Sequence, residues 1–351
     1  FFDGTFVGNG VGPLGLAAVS IIVPFWTFGL ALIMLFGVGA STVAAIKLGN
    51  GDVGGARLVY GKLILFAFFF SLILSIIIMV CLNSVLTALG AAEEVLPAAR
   101  AYMIPFLIGF PFYVAGTVAY LFTRVAEKPF IATLAYTVPA VISILLEYFM
   151  IFKWDFGMTG SGIAYVICTA STAFLVPYLQ TKTVFKIKST DFKIDWKTTL
   201  GCTKIGFPQF AINIATAINT IIVNNMILRY GGTPMETAIF GIINAYIAFI
   251  FVTVTNSFCQ GIQPFASYNI GAKQYPRVAS LIKVGVTQST LILIATTAIV
   301  FLAADPIIRL FVGPDPEFNG AVKAVMMVFL LLFAFGNVSQ VASAYFISVE
   351  K

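Results

Sequence analysis

The sequence predicts an all-α polytopic membrane protein, and three observations carry that prediction. Of 351 residues, 60% are hydrophobic and only 10% are charged. A soluble domain covers its surface with about 25% charged residues, which this chain lacks. Mean hydropathy is +1.01. The apolar residues gather into about ten long runs separated by charged or Gly/Pro-rich breaks. None alternates over about ten residues, so a transmembrane barrel is not expected.

In chain order the runs are 1–11, 14–47, 57–83, 96–124, 130–152, 160–184, 200–230, 235–268, 278–303 and 319–349. Most exceed the roughly 20 residues that cross a bilayer core, so tilt or extension beyond the core is expected. Pro24, Pro105, Pro111, Pro139, Pro208 and Pro264 fall inside runs. Inside a membrane helix such a proline frees a carbonyl that a neighbouring helix must satisfy. The first run is under way at Phe1, which is not an initiator methionine. The expectation is therefore a piece that lacks the start of its first helix.

Charge gives orientation. Placing the break between the second and third runs in the cytoplasm puts 15 of the 20 Lys and Arg residues on that side; Arg100, Lys153, Arg229, Arg309 and Lys323 are on the other. The bias follows the positive-inside rule and sets the orientation; the expected location is the cell inner (plasma) membrane, with multiple passes. The longest polar break, between the sixth and seventh runs, is then cytoplasmic. Its basic, aromatic-bearing sequence KTVFKIKSTDFKIDWK is expected to rest Lys side chains and Trp196 on anionic headgroups, not on nucleic acid.

This break divides a weak repeat. Residues 16–22 resemble 237–243 at an offset of 221, and 49–55 resemble 271–277 at 222. Both halves enter the membrane with the same orientation, as parallel transporter repeats do. The expected domains are an N-lobe at 1–184, a cytoplasmic linker at 185–199 and a C-lobe at 200–351. Two pseudo-symmetric six-helix lobes need twelve spans, so roughly two are expected to be missing from the C-terminal end.

Once Glu236, at the outer edge of its run, is counted outside, two of the fourteen acids are left within the membrane: Asp3 and Glu147. An intramembrane carboxylate is expensive and marks a functional site by default. Asp3 lies seven residues before Gly10, and Glu147 six before Lys153, so each sits about 10 Å below the outer boundary at 1.5 Å per residue. Ser143 is one turn from Glu147 on the same helix face, and Tyr165 lies at similar depth. Carboxylates in a low-dielectric cavity take up a proton or hold a hard cation. In the second half, the offset of 221 brings the neutral Asn224 opposite Asp3. Polar stripes follow at Asn213, Thr216, Thr220 and Asn224, and at Thr253, Asn256, Gln260 and Gln263. Each stripe reads equally as interhelical glue or as a cavity lining; the substrate-cavity candidates are Asn213, Thr220, Asn224, Asn256 and Gln260. With no His in the chain, Ser–His, Cys–His and His-metal chemistry is excluded, and no enzyme activity is expected. Cys81, Cys168, Cys202 and Cys259 are isolated and read as packing residues. GNGDVGG at 49–55 lacks the GK[ST] of a phosphate loop and reads as a helix break.

In order and spacing these stretches resemble the MATE (multidrug and toxic compound extrusion) family, prokaryotic type. They are Asp3-Gly-Thr-Phe-Val-Gly, LGLAAVSIIVP at 14–24, GVGASTVAAIKLGNGD at 37–52, GMTGSGIAYVI at 157–167, IGFPQF at 205–210 and GIQPFASYNIGAKQY at 261–275. The resemblance covers nearly the whole chain. It implies twelve helices in two rocking lobes, and export of amphipathic, often cationic, drug-like compounds in exchange for H+ or Na+, with no other cofactor. It implies that Asp3 belongs to the cation site. Ser143 and Glu147 stand where family members often have Asn and Asp, and Tyr165 stands where Thr is common. Small-molecule substrates and membrane lipids are the expected partners, and a monomer the expected state. A related flippase of lipid-linked sugars is the alternative. It would need cations in its cavity to meet pyrophosphate, and here every Lys and Arg maps to loops or helix ends.

Overall fold

The computed structural model describes residues 2–89, 91, 93–188, 191, 195–229, 248–303, 323, 342 and 345–347. Most of the expected run at 319–349 and the start of that at 235–268 lie outside them. The described residues form helices joined by short turns, with no strand among them.

The helices follow the apolar runs. α1 spans Phe2–Gly10. α2 spans Pro13–Ile33 and continues through a π turn at Met34–Val38 into α3, Gly39–Gly49. α4 covers Val53–Val80, and the short α5 covers Leu82–Ala88. α6 is Leu96–Val125 and α7 is Pro129–Phe152. α8, Gly157–Ala170, tightens into a 3-10 turn at Ser171–Phe174 before α9, Leu175–Lys182. The tightening falls where Pro177 has no N–H to offer the carbonyl of residue 173. α10 spans Trp196–Arg229, α11 spans Ala248–Gly271 and α12 spans Tyr275–Leu302. All six prolines expected inside helices are there. Among the described residues, six stretches are long and apolar enough to cross a membrane: Ala17–Gly49, Val53–Val80, Leu96–Val125, Pro129–Phe152, Gly157–Lys182 and Tyr275–Leu302.

The chain forms two compact units, residues 1–215 and 216–351. In the first, α6 is the central post. It buries Tyr102, Phe106, Phe110 and Phe122 completely or nearly so and packs on α2, α4, α7, α8 and α9. Lipid tails are as apolar as these side chains, so burial alone does not hold membrane helices together; close packing does. Glycines supply it. A Cβ on Gly162 of α8 would come within 2.6 Å of the Tyr102 carbonyl oxygen of α6. Gly39, just after the π turn, and Gly206 of α10 pack reciprocally. A Cβ on the first would strike the Cys202 carbonyl, and one on the second the Leu35 carbonyl. The first part of α10 therefore packs in the first unit.

Of the two stretches matched between the halves, 237–243 lies outside the described residues; the breaks at 50–52 and 272–274 share one turn. After α3, the amides of Asn50, Gly51 and Asp52 donate to the carbonyls of Ile46, Leu48 and Lys47. After α11, those of Ala272, Lys273 and Gln274 donate to Tyr268, Ile270 and Asn269. Each pair is offset by 222, with a positive φ at Gly51 (81°) and at Lys273 (58°). The turn is not unique to the repeat, since Ala126, Glu127 and Lys128 bond in the same way after α6. GNGDVGG is a helix break, as its composition implied. Asp52 caps α4 by accepting from the Gly55 amide at 2.7 Å and pairs with Lys47 at 3.0 Å. These donors hold its carboxyl below the usual carboxylate range, the Gly55 bond contributing most and the Lys47 bond next.

The described residues of the linker dock on the first unit. Phe185 is fully buried against Tyr60 and Phe122. Gln180 brackets Ile187, accepting from its amide at 2.6 Å and donating to its carbonyl at 3.1 Å. Asp191, its side chain fully buried, pairs with Arg57 of α4 at 2.9 Å and accepts from the Lys188 amide at 2.7 Å. Asp195 pairs with Lys62 at 3.0 Å and accepts from the Thr198 hydroxyl at 2.8 Å.

Candidate functional site

α7 brings Glu147 to the first unit's interior. An acid near a helix end has the option of extending to water; here Glu147 is 6% exposed. Its Oε1 accepts a 2.9 Å hydrogen bond from the Ser161 hydroxyl on α8. Ser161 is itself fully buried, between Gly160 and Gly162. A buried carboxylate needs such donors, because an unsatisfied charge in a low-dielectric interior is costly.

Ser143, one turn before Glu147, donates to the Ala140 carbonyl at 2.9 Å and lies within hydrogen-bonding reach of Cys168 on α8. α7 and α8 therefore run antiparallel along one polar seam, with Glu147 opposite Ser161 and Ser143 opposite Cys168. Tyr165, one turn after Ser161, belongs to an aromatic cluster beside that seam. Its ring stacks on Trp26 of α2 at 4.9 Å with a 9° interplanar angle, and it meets Tyr102 and Phe106 of α6 at 6.3 and 5.6 Å. Trp26 Nε1 is buried with no hydrogen-bond partner among the described residues.

α1 packs on both α7 and α8. Phe6 meets Tyr148 and Phe152 at ring distances of 6.1 and 6.0 Å, and Gly10 lies against Ile151. In parallel helices these contacts give offsets of 141 to 146 residues. Position 3 of α1 then lies level with residues 144–149, within about 5 Å of rise of Glu147. The helical backbone at Asp3 is described; its side chain is outside the described residues.

The polar stripes of the second half are less assembled. Asn213 donates to the Gln209 carbonyl at 2.8 Å, a bond within its own helix. Asn256 and Gln260 are half-buried and one turn apart on α11. The side chains of Thr220 and Asn224 on α10 lie outside the described residues. Within the second unit, a cavity of about 350 Å3 is lined by Ser257, Phe258, Gly261, Ile262, Phe265 and Leu281, and not by Asn256 or Gln260.

Two members of the seam escaped sequence reasoning. Ser161 was legible as a hydroxyl four residues before Tyr165, on the same face, in a Gly-Ser-Gly step that brings helices close. Trp26 had no comparable signal, since a tryptophan in an apolar run reads as packing.

Chemically, the seam offers a carboxylate, hydroxyls and an aromatic wall, with the backbone of position 3 of α1 at a similar height. Hard oxygen donors of this kind suit a proton or a small hard cation.

The MatE family model matches residues 1–149 and 208–351. The multidrug export protein MepA of Staphylococcus saprophyticus is 24% identical over 302 residues, covering 84% of this chain and 65% of MepA. The chain thus spans just under two thirds of that relative's length. The outward-facing structure of a multidrug resistance MATE transporter superposes with a TM-score of 0.91 at 20% identity. It covers 99% of this chain and 77% of its own. The MATE multidrug transporter DinF-BH superposes with a TM-score of 0.88 at 26% identity, covering 99% and 78%.

Proposed function

The chain belongs to the MATE family and is a multi-pass membrane protein, and from that premise we propose that it is a secondary active multidrug exporter driven by H+ or Na+. The observation that carries this reading is Glu147. It is buried on α7, held by Ser161, and packed where α1 brings position 3 to a similar height.

The cycle follows from alternating access. An ion reaching Asp3 and Glu147 from outside neutralises a seam that is otherwise costly to bury. An ion shifts the balance between inward- and outward-open states only through its different affinity for the two. Proton or sodium occupancy therefore biases the first lobe toward the state that releases substrate, and ion release inside resets the carrier. Ser143 and Tyr165 complete the ion site. The stacked Trp26–Tyr165 pair offers a flat aromatic wall beside it, suited to an amphipathic cation. Asn213, Thr220, Asn224, Asn256 and Gln260 are assigned to the substrate path. The N-lobe is 1–184, the linker at 185–199 is cytoplasmic, the C-lobe begins at 200, and the transporter is a monomer in the plasma membrane. MepA is named a multidrug export protein and DinF-BH a multidrug transporter, which supports drug-like cargo.

The test is efflux of a cationic dye from proteoliposomes under separately imposed proton and sodium gradients. Asp3→Asn and Glu147→Gln are expected to abolish gradient-driven efflux while the protein still inserts and purifies. Wild-type efflux from either variant would overturn the proposal.

A further inference from the structure

The α4–linker junction holds a cavity that the transport cycle does not use. It measures about 380 Å3 and lies wholly within the first unit. One wall is the outer face of α4, where Phe69, Phe70 and Ile73 are 46%, 38% and 58% exposed. The other is the start of α10, where Trp196, 60% exposed, packs edge-on against Phe66. The mouth is polar and carries Lys62 and Asp195. An apolar slot on a membrane-spanning helix, ending at a polar mouth beside a tryptophan, has the layout of the bilayer interface.

Charge decides what fits it. Both carboxylates at the mouth are already committed, Asp191 to Arg57 and Asp195 to Lys62. Lys186, Lys188 and Lys197 are exposed, and among the described residues none is ion-paired. They stand at the mouth by connectivity. Arg57 donates to the Lys186 carbonyl, the Lys188 amide donates to Asp191, and Lys197 follows Trp196. The surplus is positive, so the site favours an anion over a cationic compound. We infer that the α4–linker cavity is a binding site for an anionic phospholipid of the leaflet on the linker side. One acyl chain lies along Phe69, Phe70 and Ile73, and the phosphate sits between Lys188 and Lys197. Basic pockets beside membrane helices recognise lipid headgroups in this way.

Native mass spectrometry of the purified chain in detergent reads the site directly. Dioleoyl phosphatidylglycerol and dioleoyl phosphatidylcholine are added separately at equal concentration. The expected result is one retained phosphatidylglycerol at an occupancy requiring at least tenfold less lipid than phosphatidylcholine. The double variant Lys188→Gln/Lys197→Gln is expected to lose that preference. Ile73→Trp, which fills the apolar slot from an exposed position, is expected to lose the retained lipid while the lysines remain. Equal retention of the two lipids by the wild type would overturn the site. So would a phosphatidylglycerol preference unchanged in both variants. Dye efflux is a separate readout, so loss of the lipid site and loss of the transport proposal are distinguishable.

Discussion

Arg57→Ala isolates the interaction that docks the linker. Arg57 is 15% exposed and its partner Asp191 is fully buried. Truncating one member of a buried pair leaves the other charge uncompensated, which costs about 3–5 kcal/mol. Arg57 also donates to the Lys186 carbonyl at 3.1 Å, and that bond goes too. At about 1.4 kcal/mol per factor of ten, the open linker becomes more populated by at least roughly a hundredfold. Limited trypsin digestion reads this, because Lys186, Lys188 and Lys197 are cleavage sites that need an undocked chain to enter the protease. When opening is fast relative to cleavage, nicking follows the open population. The expected outcome is cleavage at 186–197 accelerated about a hundredfold, with the membrane helices intact. Arg57→Met combined with Asp191→Asn removes both charges and leaves an acceptor for the Lys188 amide, so it should restore most of the protection. A linker equally protected in wild type and Arg57→Ala would refute docking through this pair.

Other outcomes follow from the same geometry. Ser161→Ala removes a charge-assisted bond to Glu147 worth about 1.5–3 kcal/mol. It should move the half-saturating ion concentration for efflux by about tenfold or more, while Ser161→Thr should retain wild-type dependence. Gly39→Ala places a methyl against the Cys202 carbonyl and should cost about 1–3 kcal/mol as overpacking, seen as a lower melting temperature in detergent. The second linker pair responds to pH. The Lys62 hydrogen bond, followed by those from Thr198, lowers the Asp195 carboxyl from 3.8 to about 2. Its contribution is thus fully present above about pH 3.8 and lost as pH falls toward about 2. The Trp196 contribution to fluorescence, taken as the difference from Trp196→Phe, should be constant from pH 5 to 8 and change only below pH 4.

The helices were legible in the sequence because membrane helices announce themselves by length and apolarity. The breaks at 50–52 and 272–274 were legible because Gly, Asp and a following Pro carry turn chemistry. Glu147 was legible as an acid in an apolar run, and the register of Phe6 and Gly10 on α7 supports its similar height to position 3. The Ser161 contact was not legible. It depends on how far α8 sinks toward α6, which Gly162 sets by touching the Tyr102 backbone. The linker was only partly legible. Its lysines and Trp196 suggested contact with headgroups, but nothing in the string marked Asp191 and Phe185, which are buried. Burial of that kind is a property of the partner surface, so composition does not reveal it.

Reconstituted efflux with each ion gradient imposed alone decides whether the two acids couple ion to drug. Gradient-driven dye export should be present in the wild type and lost in both Asp3→Asn and Glu147→Gln, while both proteins remain folded in the membrane. Export by Glu147→Gln at the wild-type rate, under the same gradient, would contradict ion coupling through the α7–α8 seam.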